Sequence, residues 1–390
     1  MEFRFTPEQE RFRQEVRQFC RENVDPDIRK RLESRHEEHD PTLYKKIAER
    51  GWIGMQWPVE YGGQGRSHVD MAIFYEEFGY ARAPTGRYTG SVVFVGESII
   101  AYGTPEQKAY FLPRIARGEI TCCWGLTEPD AGSDAAALRT RAVDKGDYYE
   151  VTGQKIFTSG AHLADVGLFA VRTDPTRPKY HGISLLLIDM DSPGITLQPL
   201  ITLGGWRVNV TILDHVRVPK NRLMGEENEG WKHVLTTLGL ERAGLAPVGL
   251  LLRTLDDLAE YMRRQEAVGR RVPQAHWDRF AELATQVQAA RWLSYRVAWM
   301  QDSGLPDFAE SSMAKVLTAE LQVRVANLVV DVLGLDGLVR GEAAPLDGLG
   351  EQLYRSCLFH HIGGGTMEIQ LNAIALQGLG LPREPRPART

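Results

Sequence analysis

The hydrophobic period of this sequence changes twice, and those changes constrain the fold more than any other feature. In residues 6–118 apolar side chains recur at helical spacing, as Phe12 and Val16 do. In residues 120–225 short β-branched and aromatic runs alternate with Gly, Pro and Asp turns. Long helical patterns then return from residue 230 onward. The order helix, sheet, helix predicts an α+β protein.

The same changes predict the domain boundaries. We expect an N-terminal helical domain at residues 1–119, a middle antiparallel β domain at 120–228 and a C-terminal four-helix bundle at 229–382. A Pro- and Arg-rich tail at 383–390 is predicted to be disordered. Expected strands are 148–152, 166–172, 183–188, 195–200 and 208–213, and expected bundle helices are 235–265, 276–302, 309–333 and 366–376.

Composition excludes several classes of function. A chain of 390 residues with 43% hydrophobic residues buries a large core, and a net charge of −5 offers no basic face for nucleic acid. The four cysteines have neither metal-ligand nor disulfide spacing, so we expect no metal site and a reducing compartment. No leader and no run of eighteen apolar residues is evident, so we expect a cytoplasmic protein without a membrane span.

The segment Trp124–Asp134 reads Trp-Gly-Leu-Thr-Glu-Pro-Asp-Ala-Gly-Ser-Asp and holds the strongest candidate site. An apolar, strand-like run enters it, and the chain then turns through Pro, Gly and Ser. Such a turn leaves backbone N–H groups and hydroxyls unpaired, which suits a flat cofactor rich in heteroatoms. A simple tight turn is the alternative interpretation.

Further motifs decide between these interpretations, because together they resemble the acyl-CoA dehydrogenase family over nearly the full chain. They are Pro58–Gly65, Gly153–Ser159, Asp214–Pro219 and Gly363–Gln370, and they occur in the family's order. The resemblance implies an acyl-CoA dehydrogenase-like fold, bound FAD, an acyl-CoA substrate desaturated between its α and β carbons, and electron-transfer flavoprotein as electron acceptor.

The resemblance also implies which residues contact the flavin. They are Trp124, Leu126, Thr127, Gly132, Ser133, Phe157, Ser159 and Thr366. An aromatic and an aliphatic side chain supply stacking area, while hydroxyls and backbone donors hold the polar edge of the ring. Taken alone, Phe157 is more typical of a core residue, and its place after Gly153-Gln154-Lys155 favours the cofactor wall.

A catalytic base is needed for the α proton, and many family members have a Glu directly before Gly-Thr near the C-terminus. Gly364 stands at that position here, and its backbone N–H still suits the thioester oxygen. Some relatives carry the Glu before an Arg on the first long bundle helix, where this chain has Glu241-Arg242. A carboxylate in so apolar a stretch has a raised pKa and basicity, so we expect Glu241 to be the base. A structural salt bridge is the alternative.

These features most resemble the actinobacterial dehydrogenases of steroid side-chain degradation, which are α₂β₂ tetramers. The family completes the flavin site from a neighbouring subunit with an Arg and a Gln, and this chain has Gln265 and Asp331 there. We therefore expect a homologous second subunit that supplies both groups. Arg263 or Arg264 reaching in would instead permit a homotetramer.

Two further functions remain open from the residues alone. One is an oxygen-using oxidase or monooxygenase on the same fold, and the other is a non-catalytic subunit of a hetero-oligomer. Three consecutive glycines at 363–365 leave room for a bulky or branched acyl group, including a steroid side chain.

Overall fold

A computed structural model of the chain describes residues 3–25, 27–240, 245–341 and 343–383. Two compact units divide it. The helical unit comprises Met1–Cys20, His68–Arg82 and Arg242–Thr390, and the sheet unit comprises Arg21–Ser67 and Ala83–Glu241, each within the described ranges. Residues 384–390, which make up most of the predicted disordered tail, lie outside them.

The described α-helices are numbered in chain order. They are α1 Pro7–Asn23, α2 Ile28–Ser34, α3 Pro41–Glu49, α4 His68–Tyr80, α5 Glu97–Tyr102, α6 Pro105–Ala116, α7 Gly230–Leu240, α8 Leu245–Ala267, α9 Gln274–Asp302, α10 Phe308–Leu333, α11 Leu349–Ser356, α12 Phe359–Ile362 and α13 Met367–Ala373. A π-helical stretch, Thr89–Gly96, precedes α5, and a second, Ile374–Gly378, follows α13. None of the described helices combines the length and apolar character that crossing a bilayer demands.

The sheet unit contains the described strands. They are β1 Cys122–Gly125, β2 Arg141–Asp144, β3 Tyr148–Lys155, β4 Val166–Arg172, β5 Ile183–Asp189, β6 Ile195–Ile201, β7 Arg207–Pro219 and β8 Leu223–Met224. Their order is β6-β7-β3-β2-β4-β5-β8, and β1 pairs with β4. The central strands β4 and β5 are buried along almost their whole length, which explains their unbroken apolar sequences.

The predicted α+β class is confirmed, and most neighbouring strands are antiparallel as expected. Two pairings differ. Strand β1 runs parallel to β4 with Trp124 opposite Leu168, and β2 also runs parallel to β4, with Arg141 opposite Arg172. Parallel neighbours need a long crossover, and the segment holding β2 and β3 supplies it. A register shift between Val151 and Gly153 lets β7 pair with β3 over more residues than the predicted 208–213.

The helical unit is built on α8, α9 and α10, whose buried residues form one apolar core. Leu251, Leu255 and Leu258 recur on α8 at the spacing that keeps one face inward. Helix α4 packs on α8 so closely that a Cβ at Gly249 would lie 2.1 Å from the carbonyl oxygen of Glu76. The N-terminal third therefore contributes helices to both units, and the predicted boundaries 1–119, 120–228 and 229–382 stay predictions.

Buried charges tie α1, α4 and α9 together inside the helical unit. The Arg13 guanidinium donates to Glu76 at 2.6 Å and to Glu77 at 3.0 Å, and Arg291 donates to Glu76 at 2.7 Å. Burial by itself would raise the pKa of Glu76, but Arg291 and Arg13 hold it below its usual value. Each charge is therefore stable in the core only while its partners remain.

We expect Arg13→Met to lower the free energy of unfolding by about 3 kcal/mol, because two buried carboxylates lose a shared cation. Urea unfolding followed by circular dichroism measures it. The matched control is Arg264→Met, which removes only an exposed pair with Glu260 one helical turn away and costs about 0.5 kcal/mol or less. Equal losses in the two variants would contradict the structural role of the buried cluster.

Candidate functional site

The segment Trp124–Ser133 begins on β1 and continues into a turn. The Trp124 ring is half-buried and stacks on Phe94, with ring centroids 6.0 Å apart and an interplanar angle of 13°. Leu126 is buried and Thr127 is half-buried, while Gly132 and Ser133 are exposed at the turn. The segment thus presents apolar area at its start and polar atoms at its end.

A buried ion pair fixes this segment to the end of β3. The Lys155 ammonium is fully buried and donates to the Glu128 carboxylate at 2.8 Å and to the Leu126 carbonyl at 3.1 Å. Glu128 also accepts from the backbone N–H groups of Arg139 at 2.6 Å and Thr140 at 2.9 Å. Burial lowers the pKa of Lys155 and would raise that of Glu128, but the mutual attraction keeps the pKa of Glu128 below its usual value.

Phe157 has an unusual conformation directly after β3. Its φ is +60°, in the left-handed region that bulky residues rarely occupy, and its side chain is 60% exposed. Ile156 donates its N–H to the Thr127 carbonyl at 2.9 Å, and Thr158 donates to the Asn209 carbonyl at 3.0 Å. These two bonds hold the strained residue between them, so an exposed aromatic ring is presented on a fixed backbone.

Ser159 is exposed, and its carbonyl is held from inside the sheet unit. Arg87 is 5% exposed and donates from both terminal nitrogens to the Ser159 oxygen, at 3.0 and 3.1 Å. Gly160 follows with φ +60°, and a Cβ there would lie 1.9 Å from the guanidinium carbon. The glycine therefore leaves space for the arginine that holds Ser159.

The predicted residues divide between the two units. The sheet unit contains Trp124, Leu126, Thr127, Gly132, Ser133, Phe157 and Ser159, and hydrogen bonds join their two segments. The helical unit contains Gly364, which is exposed with φ +69°, and Thr366, whose hydroxyl accepts from the Ile369 N–H as the cap of α13. The predicted base, Glu241, lies outside the described residues.

Sequence reasoning missed the residues that support the site, namely Glu128, Lys155 and Arg87. A signal for one of them exists, because Lys155 falls at an inward-facing position of an alternating strand and a buried lysine needs a partner. The carbonyl contacts of Arg87 and Lys155 have no such signal. They depend on residues distant in the chain.

Two positions relevant to subunit assembly also have defined surroundings. Asp331 accepts from the Arg279 guanidinium at 2.6 Å, so its charge is paired within the helical unit. Gln265 accepts from Arg270 at 3.3 Å. Neither Asp331 nor Gln265 has a positively charged side chain.

Comparison with known protein families identifies the class of this protein. Three family models match: "Acyl-CoA dehydrogenase, N-terminal domain" at residues 6–119, "Acyl-CoA dehydrogenase, middle domain" at 123–211 and "Acyl-CoA dehydrogenase, C-terminal domain" at 228–379. The class of protein is therefore a flavin-dependent oxidoreductase.

Similar individual proteins include acyl-CoA dehydrogenase FadE26 of Mycobacterium tuberculosis, 37% identical over 99% of this chain and 100% of that protein. Among solved structures, a chain of the ChsE4–ChsE5 complex from Mycobacterium tuberculosis has a TM-score of 0.89 at 36% identity, covering 98% of this chain and 100% of the other. The Tcur3481–Tcur3483 steroid acyl-CoA dehydrogenase gives a TM-score of 0.90 at 33% identity, covering 98% of this chain and 100% of the other. The chain belongs to the acyl-CoA dehydrogenase family and is an acyl-CoA dehydrogenating enzyme, as its sequence predicts.

We expect Lys155→Met to lower the free energy of unfolding by ~3–5 kcal/mol, because Glu128 is left as a buried, unpaired charge. The double variant Lys155→Met with Glu128→Gln removes both charges and should recover most of that loss. Thermal unfolding together with the bound-flavin absorbance measures both effects. A double variant no more stable than Lys155→Met would show that charge pairing is not the cause.

Proposed function

We propose that the protein catalyses FAD-dependent α,β-desaturation of an acyl-CoA thioester with a bulky or branched acyl group. The observation that carries this proposal is the exposed Phe157 ring, held in a strained conformation next to the tethered Trp124–Ser133 segment. Strain in an exposed aromatic residue is typical of a ligand contact. The family generally binds FAD, and a flat ring system fits such a wall.

The flavin contacts proposed are those named from the sequence. Phe157 and Trp124 would supply stacking area, Leu126 apolar contact, and Thr127 and Ser159 hydrogen bonds to the polar edge of the ring. At the turn, a Cβ added to Gly132 would meet no atom within 4 Å, so Gly132 and Ser133 leave open, polar backbone for the rest of the cofactor. Thr366 stays a proposed cofactor contact, as the family resemblance implies. FAD, when bound, accepts the β hydrogen as hydride.

The proposed base is Glu241, whose carboxylate would take the α proton as the carbon–carbon double bond forms. Its support is the apolar sequence around it, which disfavours the charged carboxylate and raises its basicity. Negative charge develops on the thioester oxygen as the proton leaves. We propose that the backbone N–H of Gly364 donates a hydrogen bond to this oxygen and so stabilises the charge.

The proposed acyl group includes a steroid side chain. Support comes from the likeness to a solved steroid acyl-CoA dehydrogenase, to which this chain is 33% identical. Electron-transfer flavoprotein is the proposed electron acceptor. The proposed compartment is the cytoplasm.

A homologous second subunit in an α₂β₂ tetramer is the proposed partner. The relatives named as the ChsE4–ChsE5 complex and the Tcur3481–Tcur3483 enzyme are pairs of chains. In this chain Asp331 is already paired with Arg279 and Gln265 carries no charge, so neither would hold a neighbour's pyrophosphate. A different subunit would supply the missing Arg and Gln.

Glu241→Gln should leave FAD bound and slow the bleaching of flavin by substrate by at least ~10²-fold, because the α proton loses its acceptor. Anaerobic stopped-flow absorbance with straight, branched and steroid acyl-CoA esters measures this. The control is Glu226→Gln, an acidic residue in the segment before α7. Unchanged bleaching in Glu241→Gln would end the assignment, and hydrogen peroxide formed in air would favour an oxidase.

Purified alone, the chain should hold less than one FAD per subunit, because the Arg and Gln expected from the second subunit are missing. The double variant Gln265→Arg with Asp331→Gln should raise this occupancy in a homo-oligomer. Flavin absorbance and analytical ultracentrifugation measure both. A wild-type homotetramer with one tightly held FAD per chain would refute the need for a second subunit.

A further inference from the structure

The glycine run after α12 has a defined conformation in the helical unit. Gly364 and Gly365 have φ of +69° and +90°, which only glycine adopts without strain. Gly364 is exposed, and its N–H meets no acceptor within the described part of the chain. The amide is thus free to donate to a ligand, and side chains from other elements hold the backbone around it.

One anchor is Lys315, on the long helix α10. Its ammonium donates to the carbonyl oxygens of His360 at 2.5 Å and Gly363 at 2.8 Å, and so joins the end of α12 to the start of the glycine run. Burial, together with the nearby Lys315 and His361, lowers the pKa of His360 to about 3, so the His360 ring is neutral at pH 7. The positive charge beside the carbonyls of His360 and Gly363 is therefore that of Lys315.

A second anchor is Gln370, on α13. Its side-chain amide is fully buried and donates to the Gly364 carbonyl at 3.1 Å. A Cβ at Gly365 would lie 2.6 Å from the same amide nitrogen, so the glycine permits this approach. The peptide units on both sides of the Gly364 α carbon are therefore held by side chains from two helices.

The Lys315 contact also acts electronically. The Gly363 carbonyl and the Gly364 N–H belong to one planar peptide unit, whose electrons are delocalised. A cation bonded to the carbonyl oxygen draws electron density toward it and makes the N–H of that unit a stronger donor. Lys315 thus positions and polarises the free amide through a single peptide bond.

We propose that Lys315 is a positioning residue for the reaction, which sets the direction and the donor strength of the Gly364 N–H. This inference rests on the proposed function, in which that N–H donates a hydrogen bond to the thioester oxygen as negative charge develops there. Preorganised donors act on charge that appears in the transition state, so their effect falls mainly on the rate of proton removal. Substrate affinity depends on them less.

The first test is kinetic. Lys315→Met keeps the length of the side chain and removes the ammonium, and we expect kcat to fall by ~10–100-fold with KM changed by less than about threefold. Lys315→Arg restores a cation and should recover part of kcat. The matched control is Arg324→Met, which removes a cation from the same helix where it pairs with Glu282, and should leave kcat unchanged. Equal kcat in wild type and Lys315→Met would overturn the inference.

The second test needs no substrate and separates the inference from the proposed function. With ¹⁵N-glycine labelling of the full chain, the Gly364 amide is assigned from the resonance lost in Gly364→Ala. We expect its proton resonance to move upfield in Lys315→Met, since a weaker donor is less deshielded, and to stay in place in Arg324→Met. An unmoved Gly364 resonance would overturn the role of Lys315, whereas absence of flavin bleaching by every acyl-CoA ester in the wild type would overturn the proposed function alone.

Discussion

The ion pair between Lys155 and Glu128 is the interaction on which the candidate site of the sheet unit depends. A fully buried ammonium is stable only when its donors are satisfied, and here a carboxylate and the Leu126 carbonyl do so. The two partners are 27 residues apart in the chain and join the end of β3 to the turn after β1. This ion pair keeps the irregular backbone in a fixed conformation, both at Phe157 and at the exposed end of the Trp124–Ser133 segment.

In the helical unit, too, a lysine side chain holds backbone carbonyl groups in place. Lys315 extends from a long helix to one carbonyl of α12 and one of the glycine run, just as Lys155 extends from a strand to the carbonyl of Leu126. In both cases a side chain on a rigid element holds backbone that is free to meet a ligand. Backbone held in this way is already ordered when the chain has folded, so it needs little rearrangement during the reaction.

Predictability from sequence varied along the chain for physical reasons. The strand predicted at 166–172 has those bounds in the structure, because a strand buried on both faces has an unbroken apolar sequence. The short elements β2, β8, α11 and α12 are not predicted, since two to eight residues hold too little periodicity. The predicted helix 235–265 corresponds to α7 and α8, with residues 241–244 between them outside the described ranges.

The sequence by itself determined the order of helical and sheet segments, the family, and the identities of Gly364, Gln265 and Asp331, because each is a matter of residue type and local spacing. Only the tertiary structure decided that Phe157 is exposed in a left-handed conformation, that Asp331 is paired with Arg279, and that two lysines hold backbone carbonyls. Those features are contacts between residues far apart in the chain, which the local pattern of apolar and polar residues does not encode.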